Sequence, residues 1–181
     1  KAEIKSGKKM IIKEVKTTAK KTFAPGLYDL TELQRDANKR FGYSAKETLN
    51  IMQRLYESHK VLTYPRTDSR YITTDVADTL KERLKACSVG PYRKLAGSLS
   101  VRPIRKNASF VDNKKVTDHH AIIPTEQFVD LQTMTNEERK VYDLVVRRFL
   151  AVLLPAFEYD QTVFTGGLAG ESFTAKGKIV K

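Results

Sequence analysis

Residues Thr63-Tyr64-Pro65-Arg66-Thr67-Asp68-Ser69-Arg70 follow an apolar pair, Val61-Leu62, and crowd a phenol, two guanidiniums, hydroxyls and a carboxylate into one short stretch. A free phenol ionises near pH ~10, so little phenoxide exists at neutral pH. Neighbouring cations favour the anion, and an activated phenol oxygen can act as a covalent nucleophile on a phosphodiester. If the stretch is extended, Arg66 lies on the same side as Tyr64, two positions on, with Pro65 fixing the backbone between them. Its guanidinium can grip a phosphate with two prongs and offset charge developing in the transition state. Thr67, Ser69 and Arg70 are candidates for holding adjacent phosphates. The plain alternative is a strand-end tyrosine beside an Asp68 ion pair with Arg66 or Arg70.

A second cluster, Asp118-His119-His120-Ala121-Ile122-Ile123-Pro124-Thr125, holds two of the three histidines. Adjacent residues on an extended segment face opposite sides, which makes a shared metal ion awkward, and no cysteine stands nearby to complete a zinc set. One imidazole can instead donate to a phosphate oxygen or move a proton, with Asp118 orienting it. The alternative is a surface pair flanking a buried Ala-Ile-Ile strand. His59 reads as a helix-terminal residue. The sequence carries no glycine-rich phosphate loop, no acidic pair at metal-ligand spacing and no serine nucleophile elbow.

The 33 lysines and arginines outnumber the 21 acidic residues, for a net charge of +12 spread along 181 residues. A polyanionic partner, nucleic acid above all, fits that balance; a membrane does not, since no long apolar stretch or basic amphipathic anchor occurs. Cys87 is the single cysteine, which excludes an internal disulfide and points to a reducing, intracellular setting. Lys1 opens the chain and no signal peptide follows, so the sequence reads as a piece of a longer protein.

Several elements must position these clusters. Met10–Lys16 reads as a strand, with Thr17–Thr22 a linker or strand end and Pro25-Gly26 a turn. Leu30, Leu33 and Ala37 repeat at helical spacing up to a stop at Gly42. Ser44-Ala45-Lys46-Glu47 is a capping box opening a helix with an apolar stripe of Leu49, Met52, Leu55 and Tyr56. Two helices joined by a glycine turn and followed by a strand resemble a winged-helix unit, or equally a compact helical hairpin. Thr74 is positioned to cap a helix carrying Val76, Leu80 and Leu84, and Pro91 to begin a short one through Leu95. The stretch 98–115 reads as irregular. Thr135-Asn136-Glu137-Glu138 is a second capping box, opening a helix with Val141, Leu144, Val145, Phe149 and Val152 that Pro155 ends. Tyr159–Thr165 and Ser172–Val180 read as strands joined by a loose loop over 166–170.

Taken together, Leu62-Thr63-Tyr64-Pro65-Arg66-Thr67-Asp68-Ser69-Arg70-Tyr71 resembles the active-site signature of type IA DNA topoisomerases. The Tyr-Pro-Arg form, with His119-His120-Ala121-Ile122-Ile123-Pro124-Thr125 downstream, resembles the bacterial topoisomerase III branch. Tyr28–Arg35 and Ala45–Tyr56 also resemble that family's approach to the tyrosine. The resemblance implies that Tyr64 cuts one DNA strand and keeps its 5′ phosphate, that Arg66 places the scissile phosphate, and that His119 contacts phosphates near the cut. His120 stands where the topoisomerase I branch usually has Glu. Gln53, Ser69, Arg70 and His120 are implied as candidates for contact with single-stranded DNA.

The resemblance further implies an α+β fold: a mainly helical tyrosine domain with winged-helix-like parts over 25–152, inserted in a small antiparallel β arch domain made of 1–24 and 153–181. The acidic Toprim domain that holds magnesium precedes this region in the family, so magnesium is expected of the parent enzyme and not of this chain. A monomer acting on single-stranded DNA in the cytoplasm, at the nucleoid, completes the expectation. Two other readings stay open: a non-catalytic nucleic-acid-binding module, and a tyrosine recombinase, which would form the opposite, 3′ linkage.

Overall fold

Short-range polar caps start the helices. In the computed structural model, which describes residues 10–104, 106–168 and 170–181, Asp29 accepts from the Glu32 amide at 2.7 Å and opens α1 (Leu30–Phe41). Gly42 closes that helix at φ 74, a left-handed conformation that glycine adopts without strain. Ser44 opens α2 (Ala45–Glu57) through a complete capping box, its amide donating to the Glu47 carboxylate at 2.7 Å. The buried stripe of α2 is rotated from the expected one. Thr48, Ile51, Met52 and Leu55 face the core, while Leu49 is half-buried and Tyr56 exposed. Thr48 can sit on the apolar face because its hydroxyl donates back to the Ser44 carbonyl at 3.0 Å.

The helix expected from Thr74 is two helices, α3 (Thr74–Asp78) and α4 (Leu80–Ala86), with Thr73 at the cap position. The break falls at Thr79, whose hydroxyl donates to Val76 carbonyl at 2.8 Å and accepts from Arg83 Nε at 2.7 Å. A side chain that bonds its own backbone offers the chain an alternative to the helical ladder. A 3₁₀ turn at Gly90–Tyr92 leads into α5 (Arg93–Ser100), which runs past Leu95 because Ala96, Leu99 and Ser100 bury one face. Thr135 then caps α6 (Asn136–Leu153), and Pro155 follows its end.

Leu33 and Ala37, Met52 and Leu55, Leu80 and Leu84, Val141, Val145 and Phe149, and the Ile122–Ile123 pair form one continuous core. Each large aliphatic side chain so removed from water contributes about 1.5–3 kcal/mol before entropy is counted. Two polar clusters stitch the helices. Glu138, on α6, accepts from Arg54 at 2.7 Å and pairs with His59 at 3.1 Å, while capping its own helix by accepting from the Thr135 amide. Tyr28 donates to Asp36 at 2.5 Å, and Arg148 donates to Asp36 at 2.9 Å with its guanidinium 4.0 Å from the Tyr28 ring centre. Burial first, then the Asp36 hydrogen bond, pushes the Tyr28 phenol up to about 12.

The chain divides into two compact units, Ala24–Leu154 and a second made from Lys1–Phe23 with Pro155–Lys181; residues 1–9 of the latter lie outside the described residues. The second unit is a three-stranded antiparallel sheet ordered β1 (Ile11–Thr22), β2 (Phe157–Leu168), β3 (Glu171–Val180). Thr17–Thr22 is strand throughout. β2 extends through Gly166-Gly167-Leu168, so the loop is shorter than its glycines imply. Those glycines answer a bulge between Ile12 and Glu14. A Cβ on Gly166 would stand 3.0 Å from the Ile11 carbonyl oxygen, and one on Gly167 2.9 Å from the Lys13 stem. The chain is therefore α+β, with a mainly helical unit placed in sequence between the first and second strands of a small sheet.

Burial raises the Glu138 pKa, but Arg54, the Thr135 amide and His59 together outweigh it and hold the carboxyl below its usual range. A depressed folded pKa means stability that is present above the unfolded value of about 4.3 and lost as pH falls through the folded one. Glu138→Gln is expected to cost about 2–3 kcal/mol at pH 7, less than for a fully buried pair because Arg54 is half-exposed, and to flatten the acid limb. Urea titrations from pH 7 to pH 3 check this; parallel wild-type and variant pH profiles would reject the assignment.

Candidate active site

Both chemistry-bearing clusters hang on one segment. Within Ala121–Thr125, the Ala121 amide donates to the Tyr71 carbonyl at 2.8 Å, Ile122 to Tyr28 at 2.8 Å and Thr125 to Val61 at 3.0 Å. Thr63 returns an amide bond to the Ile123 carbonyl at 3.0 Å, and its hydroxyl accepts from the Ile123 amide at 3.0 Å. The expected strand before Tyr64 is thus a single antiparallel bridge, Leu62 to Pro124, and the expected Ala-Ile-Ile strand is a shared spine serving several neighbours. Entry to this loop turns on Lys60 at φ 58, a left-handed residue that is not glycine. Its carbonyl accepts from the Thr125 hydroxyl at 2.6 Å. Strain of this kind persists where the surroundings hold it.

Tyr64 is half-buried between two rings. The His119 imidazole lies 4.3 Å away, tilted by 38°, and Tyr56 meets it edge-on at 5.5 Å. Nearby hydrogen bonds are made by Thr63, Thr67 and His120, and among the described residues none takes the Tyr64 hydroxyl. Tyr64 lines two clefts, one of about 280 Å³ with Asp75, His119 and His120, the other of about 640 Å³ with Tyr56, Lys60 and His120. Arg66 departs from the expected geometry. The chain bends at Pro65, with the Thr67 amide donating to the Pro65 carbonyl at 3.2 Å, so the segment is not extended. Arg66 is exposed on an adjoining cleft of about 440 Å³ beside Asp29, Thr31 and Asp68. His119 lines both this cleft and the smaller of the Tyr64 clefts, as do Thr117 and Asp118, so the Thr117–His119 stretch is the wall they share.

The hydroxyls are spent on construction. Thr67 is buried and donates to the His119 carbonyl at 2.9 Å, fixing one chemical loop to the other. Ser69, 5% exposed, donates to the Lys115 carbonyl at 2.8 Å and accepts from the Tyr71 amide, which leaves it unsuited to the expected DNA contact. Arg70 is half-buried with Nε on the Leu27 carbonyl at 3.1 Å, so it braces the segment before α1. Neither arginine pairs with Asp68 among the described residues. Gln53 is half-buried one turn before Tyr56 on the same side of α2. His120 is half-buried with Nδ1 2.8 Å from the Ala121 carbonyl oxygen. Tyr92 is buried, and Tyr71 lies beneath Lys115, 4.3 Å from its ring centre. His59 is occupied by Glu138.

Sequence reasoning missed Tyr56, Lys60 and Arg83. A buried Arg83 donates to the Pro124 carbonyl at 2.9 Å and pairs with Glu126 at 2.8 Å, supporting the spine from behind. Tyr56 carried a signal, since an aromatic at the end of an amphipathic helix near the tyrosine loop is well placed to meet it. Lys60 carried none. Among the described residues no three His, Cys, Asp or Glu side chains converge closely enough to hold a metal ion. These residues do not fit the magnesium expected of the parent protein. No helix among them is long and apolar enough to cross a membrane.

A family model described as DNA topoisomerase matches residues 1–181. The chain is 65% identical over 167 residues to the DNA topoisomerase 3 of Bacillus cereus (strain ZK / E33L), covering 92% of this chain and 23% of that protein. It is 55% identical over 175 residues to the DNA topoisomerase 3 of Bacillus subtilis (strain 168), covering 97% and 24%. The structure of full-length topoisomerase I from Thermotoga maritima matches with a TM-score of 0.67 at 25% identity, over 97% of this chain and 28% of that one. The chain spans about a quarter of the length of the curated relatives it matches.

Burial lowers the His120 pKa, with Arg83 and His119 adding to the fall and the Ala121 carbonyl and Asp75 opposing it. The ring is therefore neutral at pH 7, and the stability this contributes is lost as pH falls below the ordinary histidine value of about 6.5. An NMR titration is expected to place the His120 midpoint below that value, and Arg83→Met to raise it. A midpoint at or above 6.5 in the unsubstituted chain would contradict the assignment.

Proposed function

This chain belongs to the DNA topoisomerase family, on its bacterial topoisomerase 3 branch, and we propose that Tyr64 is the nucleophile with which the parent protein opens one DNA strand. The observation that carries this is the placement of the Tyr64 phenol at the mouth of two clefts, held between His119 and Tyr56. The phenol oxygen attacks the phosphorus of a backbone phosphodiester. A phosphotyrosine bond forms to the 5′ side as the bond from phosphorus to the 3′ oxygen breaks. The proton lost by the phenol is balanced by the one that the departing 3′ hydroxyl gains. The reverse attack by that hydroxyl frees Tyr64 and reseals the strand, so bond energy is conserved without ATP.

His119 is proposed to contact the phosphate as well as to hold the phenol, because it is exposed in the wall that the Tyr64 cleft and the Arg66 cleft share. Arg66 is then the cation for the phosphate on the far side of that wall, reaching the reacting group only when a strand spans both clefts. Gln53 and His120 remain candidates for contact with unpaired bases along α2 and the larger cleft. The two compact units correspond, in this reading, to a tyrosine domain and part of an arch that opens by hinge motion. Magnesium is assigned to the portion of the parent protein outside this chain. Action as a monomer at the nucleoid follows from the same premise.

Tyr64→Phe in the full-length protein is expected to abolish covalent capture of a 5′-phosphate end while leaving affinity for a single-stranded oligonucleotide within about threefold, since one phenol oxygen contributes little to binding. Trapping with end-labelled DNA and denaturing electrophoresis reads this out. Capture that survives in the Phe variant, or a label recovered at a 3′ linkage, would sink the assignment; the first result favours a binding module and the second a recombinase. The purified 181-residue chain is expected not to relax supercoiled plasmid with magnesium, and relaxation by it would remove the need for any further domain.

A further inference from the structure

The register of the three-stranded sheet sorts its side chains into two unlike faces. Directly opposed residues in antiparallel strands share a face. Across the strands the rows are Lys16–Val163–Lys176, Thr18–Gln161–Lys178 and Lys20–Tyr159–Val180, with Phe157 beyond. One face thus carries a central line of Phe157 and Tyr159, 5.6 Å apart, flanked on both outer strands by lysines. Lys178 already sits 4.7 Å from the centre of the Tyr159 ring, and Phe157 is 50% exposed. Glu158 and Asp160 point to the other face, where Lys21 pairs with Glu158 at 2.6 Å and Lys181 with Asp160 at 2.9 Å, while Glu14, opposite Thr165, stands on the lysine face next to the bulge. Lys16, Lys20, Lys176 and Lys178 have no ion-pair partner among the described residues.

We propose that this lysine-flanked aromatic face is a second binding surface for single-stranded DNA, separate from the Tyr64 clefts. The exposed Phe157 ring and the half-exposed Tyr159 ring on the central strand offer stacking platforms for unpaired bases, and the outer lysines, roughly 10 Å apart across two strand spacings, take the phosphates on either side. A duplex has no free base faces to offer, so stacking selects single strands. The opposite face explains why this one stays open. It gathers Val15, Phe164, Phe173, Ala175 and Ile179, apolar side chains suited to burial against protein, and its Glu158 and Asp160 are paired with lysines. The choice of DNA over RNA rests on the family; the rest stands on the sheet alone.

The test uses the 181-residue chain and fluorescein-labelled oligo-dT, with a duplex of equal length, oligo-U and polyglutamate as comparisons. Changing Lys16, Lys20, Lys176 and Lys178 together to Gln is expected to weaken oligo-dT binding by about tenfold or more, and to reduce the slope of log affinity against log salt by roughly 3, at about 0.7 per phosphate contact. Phe157→Leu with Tyr159→Leu is expected to cost about tenfold for oligo-dT and nothing for the duplex. Photocrosslinking of iodouracil-bearing oligo-dT should label 157–163, and should do so equally in Tyr64→Phe chains. Circular dichroism confirms that each variant folds. Unchanged affinity in the lysine variant, equal losses for duplex and single strand in the leucine variant, equal competition by polyglutamate, a tenfold preference for oligo-U, or crosslinks confined to 61–71 would each overturn the proposal. Because the Tyr64 assignment is read by covalent capture, either proposal can fail without the other.

Discussion

The candidate site depends on the backbone hydrogen bonds that bind the Ala121–Thr125 spine to Tyr28, Val61, Thr63 and Tyr71. Ala121, Ile122 and Ile123 are buried, and an unpaired buried amide costs about 1–3 kcal/mol. Satisfying them holds together three segments that are far apart in the chain: the lead-in to α1, the tyrosine loop and the histidine loop. Arg83 reinforces the spine by donating to the Pro124 carbonyl, and Thr67 ties the tyrosine loop to the His119 carbonyl. The side chains that do chemistry then need no strong contacts of their own. Tyr64 and His119 are placed by the backbone beneath them and touch only ring to ring.

That arrangement separates support from reactivity. The hydroxyls of Thr63, Thr67 and Ser69 are taken by backbone partners, and Arg70 gives its Nε to the Leu27 carbonyl, which rigidifies the loop. The groups left toward solvent are Arg66 and His119, with the Tyr64 phenol between half-open walls. A preorganised site gains from such economy, because fixed dipoles and charges need not reorganise when a phosphate arrives. The same division runs through the rest of the molecule. The half-buried Asp36 and the buried Glu138 are matched to Arg148, Arg54 and His59. The excess of positive charge is left at the surface, where it can meet a polyanion.

The two units solve different problems. The helical unit closes a core with side chains from nearly every helix, so its loops are positioned by packing. Within its own unit the sheet relies on cross-strand pairing and a few ion pairs. Its register is set at the bulge near Lys13 and by the glycines that accept it. A one-residue slip would exchange the lysine face for the apolar one, so the distinction between the faces is also what pins the register.

The amino-acid sequence alone determined the starts of α1, α2 and α6, the stop at Gly42 and the identity of the tyrosine and histidine motifs. Those features are local: a cap bonds an amide only three residues away, and a motif is contiguous. Tertiary structure decided the break at Thr79, the rotation of the α2 stripe, the reduction of two expected strands to bridges, and the cleft that each reactive side chain lines. Ser69 and Arg70 looked like ligands because their types suit phosphate, yet a hydroxyl or guanidinium serves a carbonyl equally well. Which partner it finds is fixed by what the fold brings within 3 Å, and neither Lys115 nor Leu27 is near them in the chain.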